Sequence, residues 1–569
     1  MKHRELSKFQ IKAEITLMLQ KQTSLDEMSR EQQLKYLAKF DSIEDNDYVV
    51  EVLAKELRKA DYKKGQVITL FLQELGSLEQ LSEILWSYIK SPNSSDELRD
   101  LAGITLKNLG DATDPEEFLS YLENPKDIVD KETKKLLEVA SVNPEAQIDF
   151  LDFLFSLPEN EQMNLISSLQ EDYYSECLVN VVIPTFESKL VPHMDEFLLK
   201  ILGETKSCKA ALVLKDFLSY SQDENLKKKA NLSLNMLKLA GIDSKKAEDF
   251  DVKEEITQIS SIYEFHTHIP DGLGNQAIVG SRIRPNGDIL MMNVVVNDIH
   301  GILDCFGFYG ISKSDFRRII DRFQEKSTGI PVSPEYCKYI IEKAEKINKI
   351  NNLPISYEYL AWKPILGDIA PFDSHDISRL ITKWADEKFL KEGATLYKFP
   401  DFKHWFFEED DHEIIKESLK NIINNVVEKK EFYIKNNSEL EKFLEAELNK
   451  FMPEVFSPEV RDAYKDRLQN IAILFDVEEL NHFRNISATL AKLIDSENNS
   501  DIIKAPFFRE ILKKTITEGL LRHQYNLSAE EKQLSNPWNL MKKGQKTEVD
   551  DKKFEKENIE EIIQILCGN

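Results

Sequence analysis

The chain has 569 residues and a mass of 65.9 kDa, enough for about three to four domains. Apolar residues make up 41% and charged residues 31%, with 19 Gly and 19 Pro, which excludes a disordered chain, a collagen-like chain and a disulfide-stapled mini-protein. Lys and Arg number 74 against 100 Asp and Glu, and the net charge of −26 opposes phosphate backbones and anionic membrane surfaces, leaving basic or neutral protein partners open.

The five cysteines, Cys177, Cys208, Cys305, Cys337 and Cys567, are scattered and odd in number. No C-x-x-C spacing supports a zinc cage or a disulfide framework, so reduced thiols in a cytoplasmic protein are expected. The segment MKHRELSKFQIKAEITLMLQ lacks the apolar core of a signal peptide. No run approaches the roughly 18–20 apolar residues that span a bilayer.

Residues 1 to about 250 read as successive helices. In DELRDLAGITLKNLGD, Leu98, Leu101, Ala102, Leu106 and Leu109 line one helical face, and Gly110 and Asp111 form the turn. Related Gly turns are expected at Gly76, Gly203 and Gly241. Intervals of roughly 30 to 40 residues between such units mean stacked helix pairs, each unable to bury its apolar face alone. Over about residues 1–245 the segment resembles HEAT-repeat proteins. The likeness rests on the pattern LR-x-LA-x-x-x-L-x-x-LGD, here Leu98 to Asp111, and on the weaker LLKILGE from Leu198 to Glu204. It implies an α-solenoid with a protein-binding groove. Residues 130–190 depart from the pattern, and Pro184 is expected to interrupt them.

The periodicity changes after Glu254. SIYEFHTHIP alternates as a strand should, with Glu264, His266 and His268 on its solvated face. QAIVGSRI is a second strand, Asn286-Gly287 a hairpin turn with positive φ at both positions, and ILMMNVVVND a central third strand. This predicts a three-stranded antiparallel meander over 258–298. Helices follow, capped at Ser312 and Ser333, and should cover its apolar face. Trp362, Trp384 and Trp405 are expected in their core.

The acidic run 408–413 complements a helix N-terminus. Stripes through Ile415, Leu419 and Ile422, through Tyr464, Leu468 and Ile471, and through Phe507, Ile511 and Leu520 predict a C-terminal helical array or bundle. Residues 536–553 read as a polar linker, and Ile559, Ile562, Ile563 and Leu566 as a short docking helix. The expected fold is mainly α. Its expected parts are a HEAT-like helical domain over 1–250, an α+β domain over 251–405, a helical domain over 406–535 and a tail over 536–569.

The chemical candidate is FHTHIPDG. An H-x-H on a strand places His266 and His268 about 6.5–7 Å apart on one face, where both could bind one divalent metal. The string, with Asp271, resembles the opening motif of PHP-type and amidohydrolase metalloenzymes; a catalytic site needs further ligands, and Asp298, His300 and Asp304 in NDIHGILDC are the downstream candidates. The sequence departs from those families, because a hairpin follows where they continue into a barrel. Phosphate-loop, nucleophile-elbow and dinucleotide fingerprints are missing. Cys305 sits beside an acidic residue in an apolar setting, which raises a thiol pKa.

The reading is therefore a non-enzymatic interaction or scaffold protein with no cofactor. Its partner would be a protein, bound through the N-terminal solenoid groove. A metal-dependent hydrolase using His266, His268, Asp271, Asp298 and His300 is the alternative from another class. A chromophore lyase is a second alternative, implied by the HEAT resemblance alone. Oligomeric state is not legible.

Overall fold

Serine caps set the start of the first helices. Ser7, Ser29 and Ser77 each accept a backbone N–H three residues on, from Gln10, Gln32 and Gln80, and each glutamine reaches back to the serine N–H. The two orphan donors are thus satisfied reciprocally. The helices they open are Lys8–Lys21, Arg30–Asp41 and Leu78–Lys90. The computed structural model describes residues 4–567, apart from 23, 26–27, 126–132, 135, 141–142, 173–174, 243–254, 327, 371, 409–411, 428–436, 496–501, 503 and 535–544.

The fold is mainly helical, with one five-stranded antiparallel sheet. The helices before the sheet bury two separate apolar clusters. The first runs from Ile11 to Leu106 around Phe40, Leu53, Phe71 and Leu85. The second runs from Leu137 to Leu237 around Phe186, Leu198 and Leu214. The turn after Asp96–Asn108 is as expected: Gly110 takes φ +93, and Asp111 accepts the Trp86 indole N–H at 3.2 Å. Gly241 likewise takes φ +91.

Two expectations in this half are corrected. Gly203 is not a turn residue. It lies inside the helix Asp195–Glu204, where a Cβ would meet the Ser233 backbone at 2.8 Å, and Lys206 with φ 51 makes the turn instead. The glycine is there for close helix crossing. Pro184 does not interrupt the chain but sits within Ser175–Ser188. Having no N–H, it leaves the carbonyl four residues earlier unpaired, and the Gln147 side-chain amide donates to that Asn180 oxygen.

The sheet is larger than the predicted meander. Strands β1 (Ser261–His268), β2 (Asn275–Ile283), β3 (Ile289–Asn297), β4 (Gly301–Ile311) and β5 (Gly329–Pro331) stand in the order β4-β3-β2-β1-β5. Beyond the predicted meander, Gly301, at φ +79, turns the chain straight back into β4. At the β2–β3 hairpin only Gly287 has positive φ, +94. Pro285 and Asn286 start a three-residue loop closed by Arg284 N–H to the Asp288 carbonyl at 2.9 Å. β3 is central and buried, as its apolar run requires.

Both faces of the sheet are covered. On one, Phe316, Ile320 and Phe323 of the helix Lys313–Lys326 pack on Val279, Ile289 and Met291. Ser312 caps that helix through Asp315 N–H at 3.1 Å. On the other face, the helix Pro334–Asn351, capped by Ser333, begins an apolar core that continues from Ile256 to Leu566. Trp362 and Trp405 are fully buried in it, and residues on both sides of position 405 share it.

The helices Pro458–Val477, Asn481–Ile494 and Pro506–Leu534 bury the expected stripes, including Tyr464, Leu468, Ile486, Phe507 and Leu520. The tail differs. Residues 545–553, read as linker, belong to a helix that spans Gln545–Cys567; residues 536–544 lie outside the described ones. The stretch has Lys and Glu in plenty and no Gly or Pro from 545 to 567, so helix continues through it. Ile559, Ile562 and Leu566 are buried. Among the described residues no helix is long and apolar enough to cross a membrane.

Candidate functional site

The H-x-H segment lies within β1, between β2 and β5. A register shift between Ile262 and Phe265 turns Glu264, His266 and His268 toward the helix Lys313–Lys326. The expected solvated face is therefore a packed one, because that helix covers it. His266 is buried, with Nε2 3.2 Å from Glu264, and Glu264 also takes both terminal nitrogens of Arg317. His268 stacks on Phe323 at 3.6 Å and donates Nε2–H to the Phe323 carbonyl at 2.8 Å. Burial pulls the His268 imidazole below its ordinary value, which favours the neutral ring.

The other three predicted ligands are engaged elsewhere. Asp271 accepts the Leu273 and Asn275 backbone N–H groups at 2.9 and 2.8 Å and so shapes its own turn. Asp298 is held by Arg467, with Nε 2.5 Å from Oδ2 and a terminal nitrogen 2.9 Å from Oδ1. His300 is exposed, and its backbone N–H is bound to Asn297. The five residues are not brought together. Among the described residues no three His, Cys, Asp or Glu side chains are placed to hold a metal ion. Burial, then Asp304, pushes the Cys305 thiol well up.

The polar chemistry gathers where the helices Ser175–Ser188 and Cys208–Tyr220 meet Pro334–Asn351 and the short helix Tyr357–Trp362. Glu345 is at its centre. Its Oε1 takes Lys349 at 2.7 Å and Lys363 at 2.8 Å, and its Oε2 takes the Tyr359 hydroxyl at 2.7 Å. Lys349 also reaches Asp216 at 2.6 Å. Burial opposes the Glu345 charge, but Lys363 and Lys349 outweigh it and hold the carboxyl far below the usual range. Glu187 is set otherwise. Burial raises its carboxyl above the ordinary value, against the pull of Lys363 and Lys349, and no described residue gives its side chain a hydrogen bond.

Two openings flank this network. A cavity of about 420 Å³ is lined by Ile183, Pro184, Glu187, Leu212, Val213, Lys349, Leu360, Lys363 and Pro364 among others. A groove of about 1170 Å³ runs past Lys189, His193, Lys200, Lys229, Leu232, Met236 and Ile350. Lys349 borders both. The groove wall belongs to the helix Glu224–Leu239, which buries Ala230, Ser233 and Leu237 and leaves a second stripe exposed. Leu232 is 61% exposed, Met236 39% and Leu239 90%.

Sequence reasoning missed these residues for different reasons. Leu232, Met236 and Leu239 recur at spacings of four and three and were legible as a stripe. What the sequence hides is that the neighbouring stripe is the one that packs. Glu345 and Lys349 form a readable i,i+4 pair, ordinarily a surface feature. Asp216, 133 residues before Lys349, becomes its partner only through the fold. Comparisons of the chain with family models, with curated proteins and with solved structures find no match.

Proposed function

We propose that the protein is a non-enzymatic interaction protein. Its N-terminal helices would act as a HEAT-like solenoid whose groove takes an acidic amphipathic helix of a protein partner. The observation that carries this reading is the exposed apolar line Leu232, Met236 and Ile350 along a groove of about 1170 Å³. Contiguous exposed apolar surface of this kind is uncommon unless something binds it. The volume exceeds the roughly 300–1,000 Å³ of small-molecule pockets, and an amphipathic helix reads such a surface through i, i+4 and i+7 anchors.

Charge gives the sign of the partner. The helix Glu224–Leu239 carries Lys227, Lys228, Lys229 and Lys238 against Glu224, in a chain whose net charge is −26. The groove lining is mixed, with Lys189, Lys200, Lys229 and Lys349 beside Asp195, Glu196 and Asp223, so the lysines along that helix are what would favour and steer an acidic partner.

A displayed library of amphipathic helices, selected on the full chain, tests this. Enriched sequences should carry Asp or Glu beside an apolar i, i+4, i+7 stripe. They should bind Leu232→Glu/Met236→Glu at least tenfold more weakly than the parent. Failure to enrich any such sequence, or equal binding to both proteins, rejects the reading.

A further inference from the structure

The cavity beside the groove has a chemistry of its own. One part of its wall is apolar, from Ile183, Pro184, Leu212, Val213, Leu360 and Pro364. The other end is ionic, and its hydrogen bonds can be assigned almost completely. Lys349 is taken by Glu345 and Asp216, and Lys363 by Glu345. The remaining capacity of Glu345 goes to Tyr359. Only Glu187 is left without a hydrogen bond from a described residue, one turn after the Pro184 at which the helix opens its carbonyl to Gln147. Glu187 is only partly buried, and its carboxylate lines the cavity, where a positive or protic group can meet it.

We propose that this cavity binds a small organic ammonium ion with an apolar body, its nitrogen paired with Glu187 and its carbon skeleton against Ile183, Leu212 and Val213. The size agrees: about 420 Å³ lies inside the range of small-molecule sites. The sign of the ligand follows from which group is unsatisfied. Both lysines are already committed to carboxylates, so the open valence is an acceptor and calls for a donor. Facing Glu187 are Lys349, Glu345 and Glu342 from the helix Pro334–Asn351, Lys363, and Asp216, Tyr220 and Lys209 from Cys208–Tyr220. The site is independent of the helix-binding groove, whose exposed stripe Leu232 and Met236 does not line it.

The test uses n-hexylammonium, 1-hexanol and hexanoate as probes, with dissociation constants from ligand-observed NMR on the full chain. Hexylammonium should bind at least tenfold tighter than either analogue. Glu187→Gln should remove that preference, weakening the amine at least tenfold and sparing hexanol, with a melting temperature equal to or above the parent's. Leu212→Trp, which fills the apolar part, should lose both amine and alcohol. Leu232→Glu/Met236→Glu should keep amine binding, so that failure of the groove reading and failure of this one are told apart. The proposal is overturned if hexanol or hexanoate binds the parent as tightly as the amine, or if no probe binds. It is equally overturned if amine affinity survives Glu187→Gln or Leu212→Trp.

Discussion

Arg467→Met should destabilise the protein by about 3–5 kcal/mol, the usual loss when one member of a buried ion pair is removed. The Arg467 side chain is 5% exposed and Asp298 17%. Three guanidinium nitrogens are used: two on the Asp298 carboxylate and one on the Gly272 carbonyl. The pair thus ties the loop after β3 and the turn before β2 to the helix Pro458–Val477. Met fills similar volume and removes the charge, so Asp298 is left buried and unpaired. Burial already holds the Asp298 carboxyl above its ordinary value, and loss of the guanidinium drives it higher. A folded-state carboxyl above its unfolded value of about 3.9 weakens the fold once both forms ionise. The gap between parent and variant should therefore be widest near neutral pH and close as the pH falls through the raised folded-state values, before the unfolded one is reached. Arg467→Lys should recover little, since an ammonium cannot reproduce the fork. Arg467→Met/Asp298→Asn should recover part of the loss. Urea unfolding followed by tryptophan fluorescence measures all three. A loss under about 1 kcal/mol for Arg467→Met would mean that the pair does not hold these segments together.

That Asp298 is an anchor, and not a ligand, marks where the sequence stopped being legible. Helix caps, the apolar stripes and the Gly110 and Gly241 turns follow from local chemistry: Ser333 and Ser457 cap the helices at which Pro334 and Pro458 stand. β1 to β3 follow from alternation and a β-branched run. β4 does not, because its pattern is broken: Leu303, Phe306 and Phe308 remain partly exposed while Cys305 is buried. Which face of β1 is covered depends on a register shift and on a helix some fifty residues later, so His266 and His268 look like free ligands only in one dimension. The helical character of the N-terminal half was readable. The reason for Gly203 was not, because a glycine admits a turn or a close crossing, and the choice is made by Ser233 on another helix. The candidate site was the least legible part. Glu187, Asp216, Glu345, Lys349 and Lys363 are ordinary charged residues on amphipathic helices until the fold brings them to one place.

Glu345→Gln should cost about 2–3 kcal/mol and should also reverse the selectivity of the cavity. The figure is below that for a fully enclosed pair because the Lys363 side chain is 40% exposed and that of Asp216 50%, which lets solvent screen part of the loss. Glutamine keeps the shape and can still accept from Tyr359, so the change isolates the charge. The folded-state carboxyl of Glu345 lies below its unfolded value of about 4.3. Its stabilisation is therefore complete above that pH and is lost as the pH falls toward the folded value. The parent and the Gln variant should differ most near pH 7 and converge in acid. Lys349→Met added to Glu345→Gln should destabilise less than the sum of the single changes by at least about 1 kcal/mol, since the second change removes a charge that the first left with Asp216 as its one carboxylate partner among the described residues. The functional consequence has the same origin. With Glu345 neutral, Lys363 has no carboxylate bonded to it among the described residues, and Lys349 keeps Asp216 alone. The end of the cavity becomes cationic around Glu187, whose charge is then held by the protein itself. Hexylammonium should bind more weakly in this variant and hexanoate more tightly. Unchanged selectivity would separate the ion network from the cavity it borders and leave Glu345 a purely structural residue.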